Sequence, residues 1–218
     1  WLQPLPGNGM YYFYGLMGIA ALLVLLGAAF RLSSFAFALL WTLQYGMQKV
    51  DYNNHYYLIL LLSWLLFLSP ANRLLSVDAW LRPSLRSHQC NRLWHWLFLF
   101  QTTLLYVFAA LNKLDPDWVS GRFLRIQFSR FGEEALLGPL YHLHWFPVFI
   151  AYAGILFDLC IIPALLWKRS RTTALLLSVL FHAFNAYTFR IGIFPFLAFG
   201  LSVFFLDAGW FDKISSPQ

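Results

Sequence analysis

Seven stretches of this chain are so continuously apolar that no water-facing stripe can be drawn along them: 12–30, 35–49, 55–68, 94–112, 147–167, 172–189 and 192–206. In hydrocarbon a backbone must satisfy its own hydrogen bonds, so runs of this kind read as helices. The third and seventh rise only ~21 to 23 Å, short of a ~30 Å bilayer core, and read as partly re-entrant or as sitting in a thinned region. Charge is scarce over the chain as a whole. Only 11% of the residues are charged and 60% are hydrophobic, whereas a soluble domain is roughly 25% charged. This balance excludes a soluble nucleotide-binding enzyme, a nucleic-acid module and a disordered tail. The expected fold class is an all-α integral membrane protein with about seven transmembrane or partly re-entrant helices, plus an interfacial helix. Residues 1–218 read as a single transmembrane domain. The chain opens at Trp1 and not at Met, which reads as a fragment with a preceding segment missing.

The net charge of +6 comes from fifteen Lys and Arg against nine Asp and Glu. The basic residues cluster between apolar runs, as topology signals do, and not as a nucleic-acid surface would. If all seven runs cross, nine of the fifteen share one side: Arg31, Arg73, Arg82, Arg86, Arg92, Lys168, Arg169, Arg171 and Lys213. That side is expected to be cytoplasmic. Trp80, Trp94, Trp96, Trp118, Trp145 and Trp167 stand near run ends, where interfacial aromatic belts lie. Cys90 and Cys160 form no CxxC pair and no zinc-type spacing with histidine, so neither thiol redox chemistry nor a bound metal is expected. Asp115 followed by Pro116 reads as an N-cap with proline at the first helical position. It would open one interfacial helix over 116–131, mixing Trp118, Phe123 and Ile126 with Arg122, Arg125 and Arg130.

Polar groups inside apolar runs are costly and therefore informative. Three segments carry them: KVDYNNHYY at 49–57, LNKLDPDW at 111–118 and FHAFNAYTFRIGIF at 181–194. Counting crossings puts all three on the non-cytoplasmic side. Each has two readings. Lys113 either complements its helix C-terminus and snorkels to water, or is held in a cleft, where a desolvated amine becomes a base. Asn53, Asn54 and His55 either cap a helix start or line a cavity. His182 and Asn185 share one helix face and serve interhelical hydrogen bonding or a buried site. Asp158, in mid-run, is expected to pair with Gln101 or with a buried base and to act structurally. Aromatic walls with a lysine, histidines and amides suit a flat quinone-like ligand.

These segments are also motifs. Lys49 followed by Tyr52-Asn53-Asn54-His55, then Ser76-Val77-Asp78, Lys113-Leu114-Asp115-Pro116-Asp117-Trp118-Val119, and Phe181-His182, Asn185 and Phe189 to Phe194 occur in that order. So does a helix aspartate in the segment from Gly154 to Leu159. In them the sequence resembles the membrane domain of the vitamin K-dependent gamma-carboxylases, the HTTM domain, over about residues 35–206. The resemblance implies a quinol-dependent enzyme with reduced vitamin K or menaquinol as cofactor, O2 and CO2 as co-substrates, and no metal. The hydroquinone is deprotonated and oxidised by O2 to the epoxide. A strong base formed on the way removes a glutamate γ proton, and the carbanion captures CO2.

On the same resemblance Lys113 is the base that deprotonates the hydroquinone, and His55 and Asn54 are catalytic. Tyr52, Asn53, His182 and Asn185 belong to the quinone cavity. Asp158 and Asp115 are structural. The implied partners are membrane lipid and a glutamate-containing peptide or protein, with no nucleic acid, and the cavity is expected to face the non-cytoplasmic side. Animal carboxylases continue into a large extra-membrane region that binds the substrate propeptide, whereas this chain stops at Gln218. A truncated chain and a stand-alone bacterial-type homologue both fit. The alternative function is a non-carboxylating HTTM protein that binds a quinone or lipid, or assists maturation or export of a secreted peptide.

Overall fold

The computed structural model describes residues 2–48, 54–133, 135–189 and 191–206. Among them every regular element is helical. Tyr52, Asn53, Lys49, Asp51, Arg190 and Lys213 lie outside the described residues. The chain divides after Trp96 into two compact units.

The first unit holds α1 (Gly9–Leu26), α2 (Phe30–Met47), α3 (Asn54–Leu68) and the short α4 (Val77–Leu81). Only Phe13 and Ala20 of α1 are buried, and Leu16, Ile19, Leu22 and Leu25 point outward. An apolar helix with so little covered surface is suited to lipid contact. Two indoles tie α2 to α3: Trp41 donates to the Tyr56 carbonyl at 3.0 Å and Trp64 to the Thr42 hydroxyl at 2.9 Å. Such bonds matter where lipid tails compete equally for apolar surface.

The turn between α1 and α2 is closed from a distance. Gly27 ends α1 at φ 61°, with its N–H on Val24 O and the Ala28 N–H on Leu23 O, a Schellman arrangement. Ala29 follows at φ 44°, a left-handed conformation that strains a residue with a Cβ. Asp78 holds it there. Its two carboxylate oxygens accept from Ala29 N at 2.8 Å and Phe30 N at 2.9 Å, and the Asn72 amide donates to it at 2.9 Å. A Cβ on Gly27 would stand 2.3 Å from the Ser76 Cβ, so only glycine fits this closure.

In the second unit, α5 (Arg92–Asn112) enters from the end of the first and leads to α6 (Pro116–Val119), α7 (Arg122–Phe128), α8 (Gly138–Tyr141), α9 (Phe146–Leu166), α10 (Arg171–Phe189) and α11 (Phe194–Ser202). The central helix is α9, which contributes to both apolar cores. Ile161, Ile162 and Leu165 pack with Leu99, Tyr106, Ala174 and Phe205, while Phe146 and Ala151 pack with Leu124, Phe128 and Tyr141. The turn from α9 to α10 is closed by Ser170, whose hydroxyl donates to Ala164 O at 2.8 Å, and by Arg171, whose Nε donates to Leu165 O at 3.0 Å. A cation there also suits the helix dipole.

One expectation is met in part and one changes. Among the described residues four helices are long and apolar enough to cross a bilayer: α1, α5, α9 and α10. The third and seventh runs are short, as expected. The helix that holds the second run, α2, has the length, but Arg31, Ser33, Ser34 and Gln44 make it more polar. The interfacial helix expected over 116–131 is instead two short helices. Gly121 separates them at φ 70°, seated so close to α9 that a Cβ would stand 3.0 Å from Val148 N.

Candidate functional site

The buried stripe of α5 runs through Leu99, Thr102, Tyr106 and Ala110 at helical spacing and delivers Lys113 just past the helix end. There the chain turns sharply. Asp115 caps α6 by accepting from the Asp117 N–H at 2.9 Å, with Pro116 at the first helical position, as the sequence led one to expect. This turn brings Trp118 against α9, where its indole N–H donates to Ala151 O at 3.1 Å. Trp118 also stacks on Phe123, with ring centroids 5.4 Å apart.

Across from this turn, α9 presents Gly154 and, one turn later, Asp158. The Lys113 ammonium pairs with the Asp158 carboxylate. Gly154 lies beside the pair: a Cβ there would make ordinary contact, 3.7 Å from Trp118 and 3.9 Å from the Lys113 Cδ and Cε. The amine also lies over two rings, 5.4 Å from the Trp118 centroid and 5.7 Å from that of Phe181, an aromatic setting that favours a cation. The pair is lopsided in exposure. The Asp158 side chain is 3% exposed, whereas that of Lys113 is 19% exposed. Asp158 therefore pairs with a base, one of the two partners expected for it, and Gln101 is not that partner.

Lys113 borders a cavity of about 170 Å³, walled by Trp118, Ile150, Phe181, Phe184, Phe189 and the bare backbone at Gly154. An apolar cavity of ~150 Å³ accommodates one benzene ring, so this one has the dimensions of a single aromatic ring. Lys113 and Asn185 are the two lining residues with polar side chains, and the surface they present to the cavity is apolar. Asn185 is buried, and its side chain has no hydrogen-bond partner among the described residues.

Behind Phe181, His182 is buried in α10 and shares a 3.0 Å hydrogen bond with the Tyr106 hydroxyl through Nε2. Its Nδ1 has no partner among the described residues. Phe157, stacked on Phe181 at 3.7 Å, and Phe194 present edges to the imidazole. At the end of α10, Tyr141 and Thr188 share a 2.8 Å bond between hydroxyls.

The structure thus puts Lys113 and Asn185 in the wall of one cavity, with Asp158 paired to the lysine and His182 next to the wall residue Phe181. Asn54 and His55 open α3 in the first unit. Among the described residues no group of three His, Cys, Asp or Glu could hold a metal ion. The sequence reading passed over Tyr106 and named Gly154 only as the start of the aspartate motif. The spacing of Thr102, Tyr106, Ala110 and Lys113 along one helix face was the available signal for Tyr106.

An all-helical bundle with outward-facing leucines, four helices of bilayer length and an ion pair beside an aromatic cavity defines an integral membrane protein. The family model of the HTTM domain matches residues 1–210, and the chain belongs to that family, the membrane domain of the vitamin K-dependent gamma-carboxylases. No solved structure matches it.

Proposed function

We propose that the chain is a quinol-dependent enzyme of the gamma-carboxylase type, in which Lys113 accepts the proton of a hydroquinone ring lodged in the aromatic cavity. One observation carries this reading: the stem of a lysine forms part of the wall of an apolar, ring-sized cavity. The fit is chemical as well as spatial. Trp118 and Phe181 offer flat faces, and the unpartnered Asn185 amide offers a donor and an acceptor to a ring oxygen. Reduced vitamin K or menaquinol bound there would supply, on oxidation by O2, a base strong enough to take a glutamate γ proton, which an amine cannot do.

The protein's own residues orient the ring, exclude water and take the first proton. His182, fixed by Tyr106, holds Phe181 from behind. On the family resemblance, Asn54 and His55, with Tyr52 and Asn53, are proposed to take part in the same reaction, and Asn54→Ala and His55→Ala test that role. The cavity is proposed to open on the non-cytoplasmic side, because Lys168, Arg169 and Arg171 sit at the opposite end of α9 and α10. A glutamate-containing peptide or protein is the proposed acceptor.

The test is anaerobic addition of reduced vitamin K or menaquinone to the purified chain, then O2 and product analysis, with labelled CO2 and a glutamate peptide in a second arm. Epoxide is expected in the first arm and labelled peptide in the second. A bound quinone with no epoxide would instead establish the non-carboxylating role, in which the protein holds a quinone or lipid or assists a secreted peptide.

A further inference from the structure

A lysine beside a carboxylate in an aromatic cage poses a chemical difficulty. Lys113 is ion-paired with Asp158, and the ammonium of an ion pair has no lone pair with which to accept a proton. The geometry also supplies the way out. The order running inward from the cavity is lysine first and aspartate second, since Lys113 lines the cavity and Asp158 does not. Among the described residues Asp158 has no hydrogen-bond partner besides Lys113. The remaining titratable neighbours, Tyr106 on α5 and His182 on α10, are bonded to each other.

We propose that Lys113 and Asp158 act as one proton acceptor, in which Asp158 is a positioning residue that stores the lysine's proton and so frees the amine. The proposal rests on the functional reading above only for the identity of the acid, a hydroxyl on an aromatic ring. At rest the pair holds one proton to share and is neutral overall, as ammonium with carboxylate or as amine with carboxylic acid. In the second form the amine lone pair takes the ring hydroxyl's proton. An N–H bond forms, the O–H bond breaks, and its electron pair stays on the ring oxygen. The pair ends as ammonium with carboxylic acid at charge +1, facing an oxyanion of charge −1. No oxidant is needed for this step.

Two groups that share a proton titrate as a pair and not as individuals. The proposal can therefore be tested on the protein with no quinone bound. The full chain in detergent is acylated briefly with acetic anhydride at a series of pH values, and the modification of Lys113 and Lys168 is read by peptide mass spectrometry. The exposed Lys168 should react about tenfold faster per pH unit, because only its free amine reacts. Lys113 should show a nearly flat profile, because the amine form of a neutral pair is a fixed fraction while the pair keeps its shared proton. Asp158→Asn should convert the flat profile into the tenfold-per-unit slope. Asp158→Glu, which keeps a carboxyl, should stay flat and stands in if the asparagine variant does not fold.

A slope at Lys113 of the parent equal to that at Lys168 overturns the proposal, and so does an absence of acylation at Lys113. Neither result bears on epoxide formation, so failure here and failure of the functional reading are separable.

Discussion

Lys113 reaches Asp158 by lying across Gly154, the residue one helical turn before that carboxylate on the same face of α9. The lysine stem and the cavity thus lie along the same bare stretch of α9 backbone. Each member of the ion pair depends on the other, since a mid-membrane charge without its counter-ion is costly. Lys113→Met should destabilise the protein by about 3–5 kcal/mol, and adding Asp158→Leu should recover most of the loss. Thermal unfolding of the three variants in one detergent gives the comparison; a double variant no more stable than Lys113→Met would show that the pair is not what the lysine supports.

Substitution of the proposed base has a different signature. Lys113→Ala and Lys113→Arg should each lower epoxide formation by ~100 to 10,000-fold, because a guanidinium does not deprotonate near neutrality. The quinone should still bind, as the aromatic walls are intact. Epoxidation by Lys113→Arg within a few-fold of the parent would remove Lys113 from the chemistry and leave it a counter-ion.

Gly154 separates stability from function. Gly154→Ala places its Cβ at ordinary contact distance from Trp118 and Lys113, and alanine gains up to ~1 kcal/mol in a helix interior. This variant should melt no lower than the parent. Gly154→Leu should fill the cavity and displace the lysine stem, so quinone binding, followed by quenching of tryptophan fluorescence, should fall at least tenfold. Undiminished binding by the leucine variant would place the ligand elsewhere.

Much of this arrangement was readable in the sequence, and the remainder shows what one chain's pattern conceals. The apolar runs placed every long helix to within a few residues, and Asp115-Pro116 announced the start of α6. The pairing of Asp158 was legible only as a choice between Gln101 and a base. That choice depends on the rotation of α9, which is apolar on all sides and gives periodicity nothing to register. Tyr106 was hidden because a tyrosine among leucines and phenylalanines looks like another aromatic wall. The break at Gly121 depends on how closely the chain approaches Val148, a contact between separate elements.

Tyr106 and His182 allow a direct check of the polar layer behind the cavity. Tyr106→Phe leaves both ring nitrogens of His182 without a partner among the described residues. A buried polar group stripped of its bond costs about 1–3 kcal/mol. The unfolding midpoint should drop accordingly, while Tyr141→Phe, which removes a hydroxyl pair in the other core, should leave His182 unaffected in its proton NMR signal. A shifted His182 signal in Tyr141→Phe would mean that the two cores are coupled.

Orientation is testable by labelling. In a background lacking Cys90 and Cys160, single cysteines at Ser120 and Ser170 should react with an impermeant reagent from opposite faces of sealed vesicles, with Ser120 on the non-cytoplasmic face. Labelling of both from one face would contradict the placement of the cavity.

Asp78 gives the protein an acid limit. Its carboxyl is held below the ordinary range chiefly by the Phe30 N–H, helped by Asn72, the Ala29 N–H and Arg82 against the opposing effect of burial. A depressed native pKa stabilises while the group is ionised, above ~pH 4, and the contribution fades as pH falls through the native value. Asp78→Asn should cost about 1–3 kcal/mol near neutrality. The gap in melting temperature between variant and parent should close on acidification, and a gap independent of pH would dissociate Asp78 from the turn.

The same carboxylate sets an order of events during synthesis. Asp78 is 49 residues downstream of Ala29, so the first two helices leave the ribosome well before their own turn can be locked. Until then Ala29 has no counterweight to its left-handed backbone, and α1 and α2 form a hairpin with a loose hinge. The latch arrives only after α3 has been made. Biogenesis of this unit is therefore a matter of waiting, and a ribosome stalled before residue 78 would hold a hairpin that any membrane chaperone could still open.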